Sequence, residues 1–165
     1  MRLQIDGGSK THQRHCRQFI RFFSNRFFTK EVNKQIRVKL RFVKKPDIGY
    51  EDDCANVEWM DNNRQPRRFV ISIYMPERVN LKNVISALAH EMVHIKQFVK
   101  NELIDLPSTN FRITVFKNKK YNISRVSYYD QPWEIEAYGR ERSLTREYLE
   151  RVNLAKKLLR YPVDF

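Results

Sequence analysis

Between Arg78 and Leu106 the chain contains neither Pro nor Gly, and its apolar residues recur with the period of an α-helix. They stand at positions 84, 85, 88, 92, 95 and 99, which share one side of a helix with 3.6 residues per turn. Asn80 precedes this pattern and is a suitable N-cap. We therefore predict a helix with a buried face from about Leu81 to Asn101.

Two histidines lie on this predicted helix, at the two ends of the sequence His90-Glu91-Met92-Val93-His94. A spacing of four places both imidazoles on one side of the helix, one turn apart. Two imidazoles and a third protein ligand hold zinc with one position left for water, whose proton the adjacent carboxylate can accept. The motif predicts a hydrolytic metal site. The plain alternative is two ordinary helix-face histidines with a solvated glutamate between them.

The third ligand has to be a carboxylate, because no histidine follows His94. The segment 129–141 is the best source, since it has the cap and first-turn residues of a helix. Glu134 and Glu136 lie about 200° apart around that helix, so they cannot both face the metal. We favour Glu136, because Ala137 beside it lets two helices approach closely. Glu134 ranks second, since the helix dipole alone explains a first-turn carboxylate.

The histidine helix, followed by a Pro-Trp-Glu-x-Glu-Ala helix, resembles small gluzincin-type zinc metallopeptidases, especially compact single-domain ones found in bacteriophage genomes. The resemblance covers about residues 68 to 142, with Tyr138 where the commoner pattern has Asp or Asn. It implies Zn²⁺ as cofactor and a peptide-bond hydrolase. It also suggests a peptide-pairing edge strand at Val70 to Tyr74, for which an ordinary interior strand is the alternative. By the same resemblance the zinc ligands would be His90, His94 and Glu136. The general base would be Glu91.

A chain of 165 residues with 41% hydrophobic residues fits one domain with one core. We expect a single metallopeptidase-like domain over 1–165, with a basic N-terminal region at 1–45 and a catalytic core at about 68–142. The expected fold is α+β and zincin-like, with a small, mostly antiparallel sheet packed on an N-terminal helix, the HExxH helix and a C-terminal helix pair. The pattern predicts strands at 36–43, 54–60 and 68–75, and a hairpin formed by 111–116 and 121–123. It predicts helices at 12–30 and 132–160, the latter interrupted near Gly139 or Ser143.

The net charge of +13 is concentrated in residues 1–45, which contain thirteen Lys or Arg and two acids. In the predicted first helix the apolar residues form one stripe, while Arg14, Arg17 and Arg21 fall on another face. This pattern has three interpretations: arginines that are merely solvated, attraction to nucleic acid, or binding to a membrane surface. The membrane ranks last, because the apolar stripe is needed to cover the sheet.

We expect a cytoplasmic monomer, in the host cytoplasm if the protein is viral, because no secretory signal or membrane-spanning run occurs. Cys16 and Cys54 are too few for a disulfide framework and are expected to be reduced. The expected function is a zinc metalloendopeptidase acting on a protein or peptide substrate, with nucleic acid as a further partner. The alternative is a basic nucleic-acid-binding protein with a structural or degenerate zinc site. Three tyrosines are candidates to stabilise an oxyanion: Tyr128, Tyr129 and Tyr138.

Overall fold

The computed structural model describes residues 1–44, 55–61, 65–75, 79–107 and 112–160. In chain order the elements are β1 (Arg2–Asp6), α1 (Lys10–Phe27), α2 (Lys30–Gln35), β2 (Arg37–Val43), β3 (Ala55–Trp59), β4 (Arg68–Tyr74), α3 (Leu81–Val99), β5 (Leu103–Pro107), β6 (Arg112–Phe116), β7 (Lys119–Asn122) and α4 (Pro132–Arg160). Short 3₁₀ turns at Ile123–Arg125 and Tyr128–Asp130 lead into α4. The fold is α+β, as predicted.

The larger sheet has the strand order β1-β2-β4-β3 and is mixed. β1 pairs with β2 and β2 with β4 in parallel, whereas β3 runs antiparallel to β4. Parallel neighbours need a long crossover, which α1 and α2 supply between β1 and β2. The expectation of a mostly antiparallel sheet was therefore wrong here, although β5, β6 and β7 do form a second, antiparallel sheet.

The position of β4 corrects the expected peptide-pairing strand at Val70 to Tyr74. β4 is an interior strand, bonded to β2 on one side and to β3 on the other. Within the described residues β3 is the last strand of the order, so it carries the free edge on that side. A strand added on that side of the sheet would pair with β3.

α3 is the central element of the fold. Asn80 caps it as predicted, with its side chain accepting from the backbone N–H of Asn83 at 2.9 Å. Every residue from Leu88 to Val99 is buried, because α3 packs against β3, β4, α1 and α4. A helix that is surrounded in this way can hold polar side chains in fixed positions, provided that each finds a partner.

The predicted C-terminal helix pair is instead one unbroken helix, α4, which passes through Gly139 and Ser143. A glycine inside a helix costs only about 1 kcal/mol relative to Ala. Leu144, Thr145 and Tyr148 are buried beyond the glycine, and their packing keeps the helix continuous. The missed strands β1 and β5 are only five residues each, a length at which periodicity is a weak signal.

α1 begins at Lys10 and ends at Phe27, after which α2 is a separate short helix. The hairpin of β6 and β7 turns through Lys117 and Asn118, which have φ angles of 47° and 67°. Two positive φ angles are typical of a two-residue hairpin turn, so the loop is shorter than the four residues predicted.

No helix in the described part of the chain has an apolar stretch long enough to cross a bilayer. Cys16 is a free thiol on the buried side of α1. Burial raises the pKa of this thiol to about 12, so it is an unreactive core residue. Cys54 lies outside the described residues.

Candidate metal centre

His90 and His94 point their Nε2 atoms at the same place beside α3. The two Nε2 atoms are 3.1 Å apart. The carboxylate oxygen Oε2 of Glu134, from the first turn of α4, lies 3.2 Å from Nε2 of His90 and 3.4 Å from Nε2 of His94. All three residues are buried, with exposed fractions of 8%, 7% and 6%. They form a group that could hold a metal ion.

The spacing of these three atoms fits a tetrahedral zinc ion. Zinc binds histidine nitrogen and carboxylate oxygen at roughly 2.0–2.2 Å, so neighbouring corners of the tetrahedron are about 3.3 Å apart. The three measured separations lie on either side of that value. Two imidazoles and one carboxylate are also a donor set that zinc accepts.

The other ring nitrogen of each histidine faces a polar partner. Nδ1 of His90 lies 3.3 Å from Oε2 of Glu141, whose second oxygen accepts a hydrogen bond from Ser86 at 2.5 Å. Nδ1 of His94 lies 2.9 Å from Oε1 of Gln97. The hydrogen bond with Gln97 fixes the ring of His94 and the tautomer that leaves its Nε2 free for a metal, and the Glu141 carboxylate lies close enough to Nδ1 of His90 to favour the same tautomer there.

The charges of the group are strongly coupled. Burial lowers the pKa of His90, but contacts with Glu134 and Glu141 and the charge of Glu91 outweigh burial and raise that pKa to about 10. Burial likewise lowers the pKa of His94, and Glu134 and Glu91 again raise it overall. Burial raises the pKa of Glu134, but hydrogen bonds from the two histidines bring it down to about 2. In the metal-free protein, a proton on the imidazole pair therefore balances the charge of the Glu134 carboxylate.

Glu136, the favoured third ligand, lies elsewhere, and this corrects the prediction. Its Oε1 accepts from Lys96 at 2.7 Å and from Arg140 at 2.8 Å, while its Oε2 lies 3.2 Å from Nζ of Lys117. Lys96 is also paired with Glu102 at 2.5 Å. Glu136 thus serves an ion-pair network that joins α3, α4 and the β6–β7 hairpin.

The packed face of α4 explains why Glu134 takes the place expected for Glu136. Glu134, Ala137 and Glu141 have the spacing i, i+3 and i+7, so they lie on one side of the helix. Ala137 is fully buried and permits close approach to α3, as expected, but it shares a face with Glu134 and not with its neighbour Glu136. This spacing, which can be read from the sequence, is the signal that would have indicated Glu134.

A cleft of about 260 Å³ opens beside the three ligand atoms. Glu91 is 5% exposed and lines this cleft together with Trp59 of β3 and Tyr128. The hydroxyl of Tyr128 donates to Oε2 of Glu134 at 3.0 Å. The ring of Tyr138 lies 4.5 Å from the ring of His90, centroid to centroid. The hydroxyl of Tyr128, one of the three candidate tyrosines, therefore contacts a ligand atom.

No protein-family model matches the chain, and neither a curated protein nor a solved structure is significantly similar to it. We therefore infer the function from the geometry of the cleft.

Proposed function

We propose that this protein is a zinc-dependent peptidase. The observation that carries the proposal is the convergence of three buried ligand atoms, from His90, His94 and Glu134, on one point of a cleft that Glu91 also lines. Bound there, Zn²⁺ would polarise a substrate carbonyl and lower the pKa of a water molecule. Glu134 replaces Glu136 in the ligand set first expected.

Glu91 is the residue best suited to move the proton. It lies next to His90 on α3, in the wall of the cleft, where it can accept the proton of the attacking water and deliver it to the leaving amine. Tyr128 lies within hydrogen-bond distance of Glu134, and its hydroxyl can turn to a developing oxyanion. The position of Glu91 is set by α3, and that of Tyr128 by the 3₁₀ turn at Tyr128–Asp130.

An extended peptide is the substrate shape that the cleft accommodates best. Ala55, Asn56 and Val57 of β3 line the cleft, and β3 carries the free edge of the sheet among the described strands. A peptide that pairs with this edge would gain backbone hydrogen bonds whatever its side chains are. Its scissile bond would then lie beside Glu91.

The number of ligands favours this proposal over the alternative of a structural zinc site. Structural zinc sites are closed by four protein ligands, whereas catalytic sites use three and leave one position open. The group found among the described residues has three members and borders an open cleft. A basic nucleic-acid-binding protein would need no such opening beside its metal.

The test is a comparison of wild type with Glu91→Gln, purified without added metal. Elemental analysis should give about one zinc per chain in both proteins, because Glu91 is not a ligand. Cleavage of a diverse peptide library, read by mass spectrometry, should fall by about 10²- to 10⁴-fold in Glu91→Gln. Glu150→Gln, at an exposed position on α4, is the matched control and should cleave at the wild-type rate.

Two results would contradict the proposal. Equal cleavage by Glu91→Gln and wild type would remove Glu91 from the chemistry. A wild-type protein that holds zinc but cleaves no peptide in the library would favour a structural site.

A further inference from the structure

The exposed side of α1 carries four cations in a row, Lys10, Arg14, Arg17 and Arg21, which we call the basic face. All four residues are exposed, and their spacing of four, three and four residues keeps them on one side of the helix. At a rise of 1.5 Å per residue the row is roughly 16 Å long. The side chains of Gln13 and Gln18 lie between them and line the same groove, which has a volume of about 430 Å³.

These cations have no acidic partner in the part of the chain that the structure describes. The only ion pair recorded for α1 among the described residues joins Arg26 to Glu147, beyond the basic face. The helix itself contains no Asp or Glu. Four like charges at this spacing repel one another, and no acidic group among the described residues offsets that repulsion. An anion bound along the row would reduce the repulsion.

The basic face is also held firmly in place. The hydroxyl of Tyr148 on α4 lies 3.1 Å from the backbone oxygen of His15 and 3.2 Å from Oε1 of Gln18, either of which can accept its one proton. On the opposite side of α1, Phe19, Ile20 and Phe23 are buried in the core. The backbone that carries the cations is therefore fixed before any ligand arrives, which lowers the ordering cost of binding.

We propose that the basic face binds the phosphate backbone of a nucleic-acid duplex, without regard to its sequence. A protein partner or a membrane would need apolar side chains to bury, and none of the exposed large hydrophobic residues in the described part of the chain lies in α1. Single strands are held through bases stacked on aromatic rings, which the basic face lacks. Phosphates require only guanidinium, ammonium and amide donors.

The length of the row agrees with this ligand. Double-stranded DNA carries one phosphate charge per about 1.7 Å of helix axis, both strands counted, so a row of roughly 16 Å runs beside enough phosphates to engage four cations. Four cations that each neutralise one phosphate predict a slope of about −3.6 for the logarithm of the binding constant against the logarithm of the salt concentration. Raising the salt from about 50 to about 200 mM should then weaken binding about 150-fold.

The test measures fluorescence anisotropy of a labelled DNA duplex of about 20 base pairs over that salt range. The triple variant Arg14→Glu, Arg17→Glu, Arg21→Glu should reduce the salt slope by about 3 and lose most of its affinity at low salt. The matched control is Lys82→Glu, Lys100→Glu, Lys120→Glu, three exposed positions outside α1 that change the net charge by the same amount. This control should bind the duplex nearly as wild type does.

Further arms separate the remaining ligands. An RNA duplex of the same length should bind comparably, since both duplexes present phosphates. Stronger binding to polyglutamate, or to vesicles with phosphatidylserine, than to either duplex would overturn the proposal. So would equal loss of affinity in the control and the α1 variant. The neutral set Arg14→Gln, Arg17→Gln, Arg21→Gln repeats the test if the reversed charges impair folding.

The proposal that the basic face binds a duplex does not depend on the peptidase proposal. Duplex binding is measured on the Glu91→Gln protein, so hydrolysis plays no part in the readout. Zinc content should be unchanged in the α1 variants, because no α1 residue belongs to the metal group.

Discussion

The metal centre and the basic face of α1 are both rich in ionisable groups, yet these groups lie in opposite environments. The side chains of His90, His94 and Glu134 are buried, and their charged or ring atoms face partners at 2.9 to 3.4 Å. The four cations of the basic face on α1 are exposed and have no acidic partner among the described residues. Buried charge is tolerated only with a close partner, whereas exposed charge costs little by itself. Mutations at the metal centre should therefore cause large losses of zinc affinity or stability, whereas mutations on the basic face should change stability little.

The largest effect should come from removing the third ligand. Glu134→Ala leaves only two protein ligands, so zinc affinity should fall by more than the 10- to 100-fold typical of lost second-shell partners. Glu136→Ala should keep zinc, because Glu136 contacts Lys96, Lys117 and Arg140 and not the histidines. For both variants, elemental analysis measures the zinc content and competition with a chromophoric chelator measures the zinc affinity. Loss of zinc only in Glu136→Ala would reverse the assignment.

Acid should weaken metal binding by the next largest amount. The pKa of His90 is raised to about 10 in the metal-free protein, so near neutral pH zinc has to displace a proton to bind. Each displaced proton lowers the apparent affinity tenfold per pH unit as the pH falls, or about 100-fold from pH 8 to pH 6. Calorimetry in two buffers of different ionisation enthalpy should report proton release. An affinity that does not change with pH would argue against histidine ligands.

The partner of His90 should have an intermediate effect. Glu141→Ala removes the carboxylate that lies 3.3 Å from Nδ1 of His90, while leaving all three ligands in place. We expect zinc affinity to fall about 10- to 100-fold. Glu147→Ala, on the same helix but away from the centre, is the control. If the two variants bound zinc equally well, Glu141 would have no orienting role.

The ion-pair network of Glu136 predicts an effect on folding. Lys96 has only 5% of its side chain exposed, so Glu136→Ala leaves a buried cation whose one remaining carboxylate partner among the described residues is Glu102. We expect the free energy of unfolding to fall by about 1–3 kcal/mol, measured by urea denaturation. Glu150→Ala breaks an exposed pair with Arg146 and should cost no more than about 1 kcal/mol.

The smallest effect is expected at the basic face. The Gln substitutions of Arg14, Arg17 and Arg21 should each change the free energy of unfolding by no more than about 0.5 kcal/mol, because the side chains are exposed and no described acid pairs with them. Urea denaturation of the triple variant measures this. A large loss of stability would mean that the arginines are part of the core, and the contrast between the two regions would fail.

The sequence revealed what depends on local pattern. The period of apolar residues and the Asn80 cap located α3, and alternation located β2 and β4 within a residue or two. Strand direction was not accessible, because parallel or antiparallel pairing depends on how the chain returns between strands. The choice between Glu134 and Glu136 depended on which side of α4 packs on α3, a tertiary fact that the spacing of Glu134, Ala137 and Glu141 only hints at.

The burial of α3 bears on how fast the protein could exchange a metal ion. The amides of Leu88 to Val99 lie on a stretch of helix in which every residue is buried, so their hydrogen exchange should require global unfolding. Glu134 lies in the first turn of α4, and helix ends fray more readily than helix interiors. Two ligands would then belong to the slowest-opening part of the molecule and the third to a faster one. We expect a chelator to extract the ion through transient opening at the start of α4, while α3 stays folded.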